Sequence, residues 1–376
     1  MKLTYSGLFS GAAGLDLGFE KAGFSHSFSS DIDEWAVKTL HLNRPKWGAV
    51  QADVHDLTSK DLPESDVLLA GFPCQGFSLG GDRNEDDERN YLFKQVVRVA
   101  RSTRPRLVVI ENVLNLRTMK EPVSGKMYVD LIAEAFQAAG YHVKHEVFKV
   151  CEYGVPQTRR RFIFLASRDP FPTGFAWPSP SPDTPASAFL GDFAAQRTLK
   201  LPNHNPVWGF NSSVHLETGA DYDAALPLTA CRFSRTASDG NPIRTLGAPF
   251  PAIDTATIWG WAQGDVKAVR VMKDRETGMY VRNKDSKALL WRITAPRLRQ
   301  FTHREYARLQ TFPDDWAFVG TNLRHVQKQI GNAVPVEFAR RVACFVSEMI
   351  TAQVSGKAMR LEAGVKGKAQ QSELPL

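Results

Sequence analysis

Apolar and polar positions alternate in short blocks along the first 165 residues. The runs LTYSGLF (3–9), FSHSFSSD (24–31), WGAVQAD (47–53), DVLLAG (66–71), RLVVIEN (106–112) and HVKHEVFKV (142–150) have the length and composition of strands. Between them, residues 15–23, 33–43, 91–102 and 127–139 carry apolar side chains at helical spacing. This alternation predicts an α/β fold built on a parallel, doubly wound sheet, with ligands gathered at the carboxyl ends of the strands. FIFLA (162–166) reads as a last strand.

The pattern breaks at PFPTGFAWPSPSPDTP (170–185), whose prolines mark a boundary. From there to about 295 the chain reads as loop-heavy, with scattered aromatics and arginines. Helical periodicity resumes at FTHREYARLQTF (301–312). In VPVEFARRVACFVSEMI (334–350), Val334, Phe338, Val342, Phe345 and Met349 form one apolar stripe, and Pro335 suits a first helical turn. The expected organisation is a large domain of residues 1–170 and 320–351, a smaller loop-rich domain of residues 171–319, and a small, polar, disordered tail over 352–376.

Composition narrows the setting. No run of eighteen apolar residues occurs and the start lacks a basic stretch followed by an apolar one, so an intracellular, cytoplasmic protein without a membrane span is expected. The four cysteines, Cys74, Cys151, Cys231 and Cys344, lie far apart, which suits neither a disulfide framework nor a metal site. Net charge is +7, unevenly spread: residues 1–150 carry 18 Lys and Arg against 20 Asp and Glu, and residues 151–376 carry 29 against 20. A basic second half suits a polyanion, although solvated surface explains it equally well.

Candidate chemistry sits at the predicted strand ends. GLFSGAAGLDLGF (7–19) follows a strand and opens a helix, so backbone amides there can approach an anion, although a glycine turn needs no ligand. Asp31 ends the second strand, 17 positions after Gly14, close to the spacing of a carboxylate that binds ribose hydroxyls. Asp53 ends the third. Cys74 ends the fourth, between Pro73 and Gly76, where it is either a small buried hydrophobe or a nucleophile. The charged run GGDRNEDDERN (80–90) then reads as a closing loop. Glu111 ends the fifth strand behind four apolar residues, which would keep its carboxyl protonated near neutral pH if it is buried. In QTRRRF (157–162), Arg159 and Arg161 project to one face of an extended segment, suited to phosphate or a keto oxygen.

Taken together and in this order, these motifs resemble the DNA (cytosine-5)-methyltransferase family. FSGAAG (9–14) is similar to its first motif, GFPCQGFS (71–78) to its catalytic motif, ENV (111–113) to its glutamate motif and QTRRR to its Gln-x-Arg-x-Arg motif. FTHREYARLQTFPDDW (301–316) and QIGNAVP (329–335) resemble its ninth and tenth motifs, and the uncovered middle falls where the family keeps a variable target-recognition domain.

The resemblance implies a Rossmann-like methyltransferase sheet that binds S-adenosylmethionine, with no metal. Phe9, Gly11, Gly14 and Leu15 would form the cofactor turn, Asp31 would bind the ribose, and Ile32 would pack on the adenine. Asp53 and Val54 would contact the adenine, bordered by Pro73 and Leu92, while Asn332 and Val334 would close the pocket and bring the last helix beside the first strand. Ala13 stands where the family commonly has glycine; if positive φ is required there, alanine costs about 1 kcal/mol.

Catalysis would fall to Cys74, Glu111 and Arg161, with Arg159 supporting the site or binding phosphate. Gln75, Ser78 and Arg89 would meet DNA from the loop. Arg232, Arg235, Arg244 and Thr245, the last in a Thr-Leu pair like that of the recognition domains, would read sequence. The implied partner is double-stranded DNA, for a monomeric enzyme of bacterial or phage kind at the nucleoid of a prokaryote, serving either restriction-modification beside a separately acting endonuclease or orphan DNA modification. An RNA (tRNA) cytosine-5 methyltransferase, a catalytically silent DNA-binding regulator and a dinucleotide-dependent dehydrogenase are the alternatives.

Overall fold

The computed structural model describes residues 2–73, 88–190, 246–253 and 301–359, and the backbone of the strands that lie between 228 and 300. Seven strands form one sheet: β1 (Thr4–Leu8), β2 (Ser25–Asp31), β3 (Val50–Gln51), β4 (Val67–Ala70), β5 (Leu107–Asn112), β6 (His142–Lys149) and β7 (Arg160–Ser167). Their order is β3-β2-β1-β4-β5-β7-β6. The first five are parallel. The expectation of a wholly parallel series is corrected at β7, which inserts antiparallel between β5 and β6. Only residues 150–159 join β6 to β7, too few for the crossover a parallel neighbour needs.

Helices α1 (Gly14–Lys21), α2 (Glu34–Asn43), α3 (Phe93–Thr103) and α4 (Tyr128–Gln137) lie within two residues of their predicted bounds. Local chemistry explains their limits: Asp33 caps α2 by accepting from the amides of Trp35 and Ala36. Strand side chains alternate between two apolar layers. Leu68, Ala70, Val108 and Ile110 face α3 and α4 through Val96 and Phe136. Val67, Leu69, Leu107 and Val109 face the opposite layer, where Phe19 of α1 meets Phe338 and Val342 of α8 (Val336–Ser355).

Apolar packing continues across both boundaries drawn at 170 and 320. Phe171, Phe175 and Trp177 lie against the α8 layer, and α5 (Ser187–Leu190) contributes Leu190 to a third cluster. That cluster joins Leu17 and Val37 to Trp259, Phe301, Tyr306 and Trp316, around α6 (His303–Leu309) and α7 (Leu323–Asn332). The middle segment is not loop alone. Strands β8 (Leu228–Arg232), β9 (Ile243–Arg244), β10 (Trp259–Gln263) and β14 (Arg297–Gln300) form one sheet, and β11 (Lys267–Lys273), β12 (Tyr280–Arg282) and β13 (Leu290–Thr294) another. Residues 352–359 of the expected tail are ordered, since α8 runs to Ser355 and Met359 is buried, its amide bonded to the carbonyl of Thr173, and residues 360–376 lie outside the described residues.

α1 and α8 touch at backbone distance. A side-chain carbon at Gly18 would lie 2.3 Å from Cβ of Ala339 and 2.7 Å from its backbone carbon. Gly18→Ala is therefore expected to destabilise the fold by about 1–3 kcal/mol through overpacking, seen as a lowered urea midpoint, whereas Gly23→Ala, with open space around it, should act only through its φ of 94°.

Candidate active site

Chain connections turn in opposite directions from β1, toward β2 on one side and β4 on the other, so a crevice opens beyond its carboxyl end. Gly11 lies there with φ 53°, and Ala13 adopts φ 67° as it enters α1. The strained left-handed position expected for Ala13 is thus present. Asp31, at the end of β2, fixes this turn: Oδ2 accepts from the Gly11 amide at 2.7 Å and Oδ1 from the Asp33 amide at 2.8 Å. Burial raises its pKa, while those two amides oppose the rise.

The neighbouring side chain, Ile32, is 63% exposed, an apolar surface left open at the crevice. Gly14 packs directly on the far end of the chain, where a side-chain carbon would meet the carbonyl oxygen of Val334. Val334 is buried and Asn332 is exposed. Val54, Leu15 and Leu92 are buried, Phe9 is half-buried against Phe72, and Pro73 is exposed. Asp53 is taken up by its own turn, Oδ1 accepting from the His55 amide at 2.9 Å and lying 2.7 Å from its Nδ1. These two contacts hold its carboxyl below the usual range. The open Ile32, the fixed Asp31 carboxylate and the close-approach turn suit a nucleoside.

Glu111 and Arg161 face each other across the β5–β7 pair. Arg161 Nε lies 2.5 Å from Glu111 Oε1, and both side chains are about nine-tenths buried. Burial pushes the Glu111 pKa up, opposed by the charge of Arg161. Next to it, Asn112 donates from Nδ2 to the carbonyl of Phe72 at 3.3 Å. The backbone two residues before Cys74 is thereby tied to the strand end that carries Glu111.

Arg159 does not join that pair. The residue is 5% exposed, and its Nη1 donates to the carbonyls of Ile253 at 2.7 Å and Gly331 at 2.9 Å. Of the two roles expected for Arg159, supporting the site or binding phosphate, these bonds fit the first: they tie the residue before β7 to the middle segment and to the last turn of α7. Gln157 adds to these ties. It donates to the Leu309 carbonyl and to Gln310, and accepts from the Ile253 amide at 3.0 Å. Gln310 in turn donates to the Ile330 carbonyl at 2.7 Å.

Cys74, Gln75, Ser78, Arg235 and Thr245 lie outside the described residues, as do the side chains of Arg89, Arg232 and Arg244. Sequence reading passed over Gln157, Asn112 and Asp16. The first two sit inside recognised motifs, overshadowed by charged neighbours. Asp16 has the polar position of an ordinary helix, yet it is 1% exposed and accepts from Ser10 Oγ of the glycine turn at 3.2 Å.

Comparison with known proteins adds to this geometry. The family model described as C-5 cytosine-specific DNA methylase matches residues 3–347. Type II methyltransferase M1.HphI of Haemophilus parahaemolyticus is 34% identical over 365 residues, covering 93% of this chain and 88% of that protein. Type II methyltransferase M.NgoMIV of Neisseria gonorrhoeae is 32% identical, covering 91% and 96%. Among solved structures, Spodoptera frugiperda DNMT2 superposes with a TM-score of 0.59 at 13% identity, covering 92% of this chain and 100% of that one, which is a likeness of fold. Among the described residues, no helix is long and apolar enough to cross a membrane.

Burial raises the pKa of Asp16 from 3.8 to about 7, with Ser10 opposing and Asp31 adding. A carboxyl whose folded pKa is raised favours the fold fully below its unfolded pKa, and that contribution is lost as pH rises through about 7. Asp16→Asn is expected to remove this loss. Denaturation followed between pH 4 and pH 8 should show the wild type losing up to about 4 kcal/mol relative to the variant.

Proposed function

The chain belongs to the C-5 cytosine-specific DNA methylases, and from that premise we propose that it methylates carbon 5 of a cytosine in duplex DNA through a covalent Cys74 adduct, with S-adenosylmethionine as donor. The observation that carries this reading is the buried Glu111–Arg161 pair at the end of β5, bonded through Asn112 to the turn that leads into Cys74. When bound, S-adenosylmethionine supplies an electrophilic methyl group on a sulfonium centre. Phe9, Gly11, Gly14 and Leu15 would hold it at the turn, Asp31 would accept from its ribose hydroxyls, and Ile32, Asp53, Val54, Pro73 and Leu92 would surround its base. Asn332 and Val334 would close the pocket.

Carbon 5 of cytosine is a weak nucleophile because its electrons belong to the aromatic ring. Addition of the Cys74 thiolate to carbon 6 breaks that ring conjugation. Glu111, whose pKa burial raises against the charge of Arg161, is assigned to donate in its protonated form to ring nitrogen 3, so the electron pair released by the attack collects at carbon 5 as an enamine. Arg161 holds the 2-keto oxygen and, with Glu111, the orientation of the ring. After methylation, loss of the carbon 5 proton and elimination of the thiolate restore the aromatic ring. None of these atoms is reachable in stacked DNA, so the cytosine must rotate out of the duplex.

Gln75, Ser78 and Arg89 are assigned to the DNA backbone near the displaced base. Arg232, Arg235, Arg244 and Thr245 are assigned to sequence reading within the recognition region, residues 171–319. The Type II relatives support a role in restriction-modification beside a separately acting endonuclease. We place the enzyme as a monomer at the nucleoid of a prokaryotic cytoplasm.

Incubation with labelled S-adenosylmethionine and mixed-sequence duplex DNA, followed by nucleoside analysis, should yield 5-methylcytosine from DNA and none from tRNA. Cys74→Ala should abolish the product. Glu111→Gln should slow transfer by about 100-fold or more, the scale of general acid–base catalysis, while DNA binding by gel shift is retained. Full activity of the alanine variant, or preference for tRNA, would overturn this reading.

A further inference from the structure

α3 begins directly after Leu92, its N-cap residue and one of the proposed cofactor walls. Its Arg98 looks in the sequence like a solvated charge on the polar face of an amphipathic helix. In the structure each of its three guanidinium nitrogens makes a hydrogen bond. Nη2 donates to the carbonyl of Val54 at 2.8 Å, Nη1 to that of Leu57 at 2.8 Å, and Nε to Gln95 Oε1 at 2.7 Å.

The segment so gripped is the rim beyond β3. Its near end is fixed by the bond from the Ala52 amide to the Asp31 carbonyl at 3.1 Å. Its far end has no strand partner among the described residues, because β3 stops at Gln51. Val54 and Leu57 bury their side chains in the same cluster as Leu92. The rim thus has an apolar floor, and among the described residues the carbonyls of Val54 and Leu57 are both held by this one guanidinium.

We infer that Arg98 is a positioning residue for the adenosine end of the cofactor. By holding the carbonyls of Val54 and Leu57, it keeps the rim at a fixed distance from Leu92, so the two walls of the base pocket are spaced before the ligand arrives. Arg98 touches neither reactant in this account. The fork is specific, since a lysine ammonium is a point donor and cannot span two carbonyls. The inference rests on the reading of Val54 and Leu92 as cofactor walls.

The test compares wild type, Arg98→Ala, Arg98→Lys and Asp31→Asn by calorimetric titration with S-adenosylhomocysteine, beside steady-state kinetics and circular dichroism melts. Arg98→Ala should weaken binding about tenfold and raise KM for S-adenosylmethionine to match, with kcat at saturating cofactor and KM for DNA nearly unchanged. Arg98→Lys, which keeps charge and aliphatic stem, should restore the melt but not the affinity. Unchanged affinity in both Arg98 variants, with loss of binding in Asp31→Asn, would overturn the inference and leave the cofactor site standing. Unchanged affinity in Asp31→Asn as well would place the fault in the cofactor reading itself.

Discussion

A carboxyl group buried at the carboxyl end of a central strand is the constraint on which the rest of this structure depends. Glu111 cannot be taken out of water alone, because an isolated buried charge costs several kcal/mol. Two features offset that cost: the group is driven toward its neutral form, and Arg161 stands beside it. Arg161 can stand there only because β7 runs antiparallel between β5 and β6. The reversal of one strand near the sheet edge is therefore what brings the QTRRR segment to the strand end that carries the glutamate.

The same segment also ties the sheet to the middle segment and to the C-terminal helices α6 and α7. Gln157 and Arg159 are buried and hold carbonyls or amides of Ile253, Leu309 and Gly331, while Arg161 faces Glu111. One short stretch thus fixes the chemistry on one side and, on the other, the turn that brings Val334 against Gly14. Motifs far apart in sequence meet because buried side-chain amides and one guanidinium satisfy main-chain groups that leave regular structure there.

Much of this was legible in the residues. Strand and helix alternation placed β1 through β6 and α1 through α4, because apolar periodicity is set by which face meets the core. The acid at the end of β2 and the glutamate at the end of β5 are readable from position, whereas the left-handed Ala13 follows from the resemblance, which sets it where the family commonly has glycine. The β7 reversal was not, since nothing in FIFLA distinguishes parallel from antiparallel. Strands such as Lys267–Lys273 were also missed, their polar alternation being read as loop. The main-chain partners of Arg159 are not legible in the sequence, because a buried guanidinium and an exposed one have the same letter, and neither is the burial of Asp16, because helical position alone does not reveal it. Cys74 was singled out from its flanking proline and glycine and from the motif around it.

The covalent step is the centre of the account, and one measurement reaches it directly. Duplex DNA of mixed sequence containing 5-fluorocytosine blocks loss of the carbon 5 substituent after methyl transfer, so the thiolate cannot leave. Incubated with the enzyme and S-adenosylmethionine, such DNA is predicted to give a denaturation-resistant complex whose digested peptide carries the methylated base on Cys74. A complex formed through Cys151, Cys231 or Cys344, or methylated product with no complex at all, would contradict it.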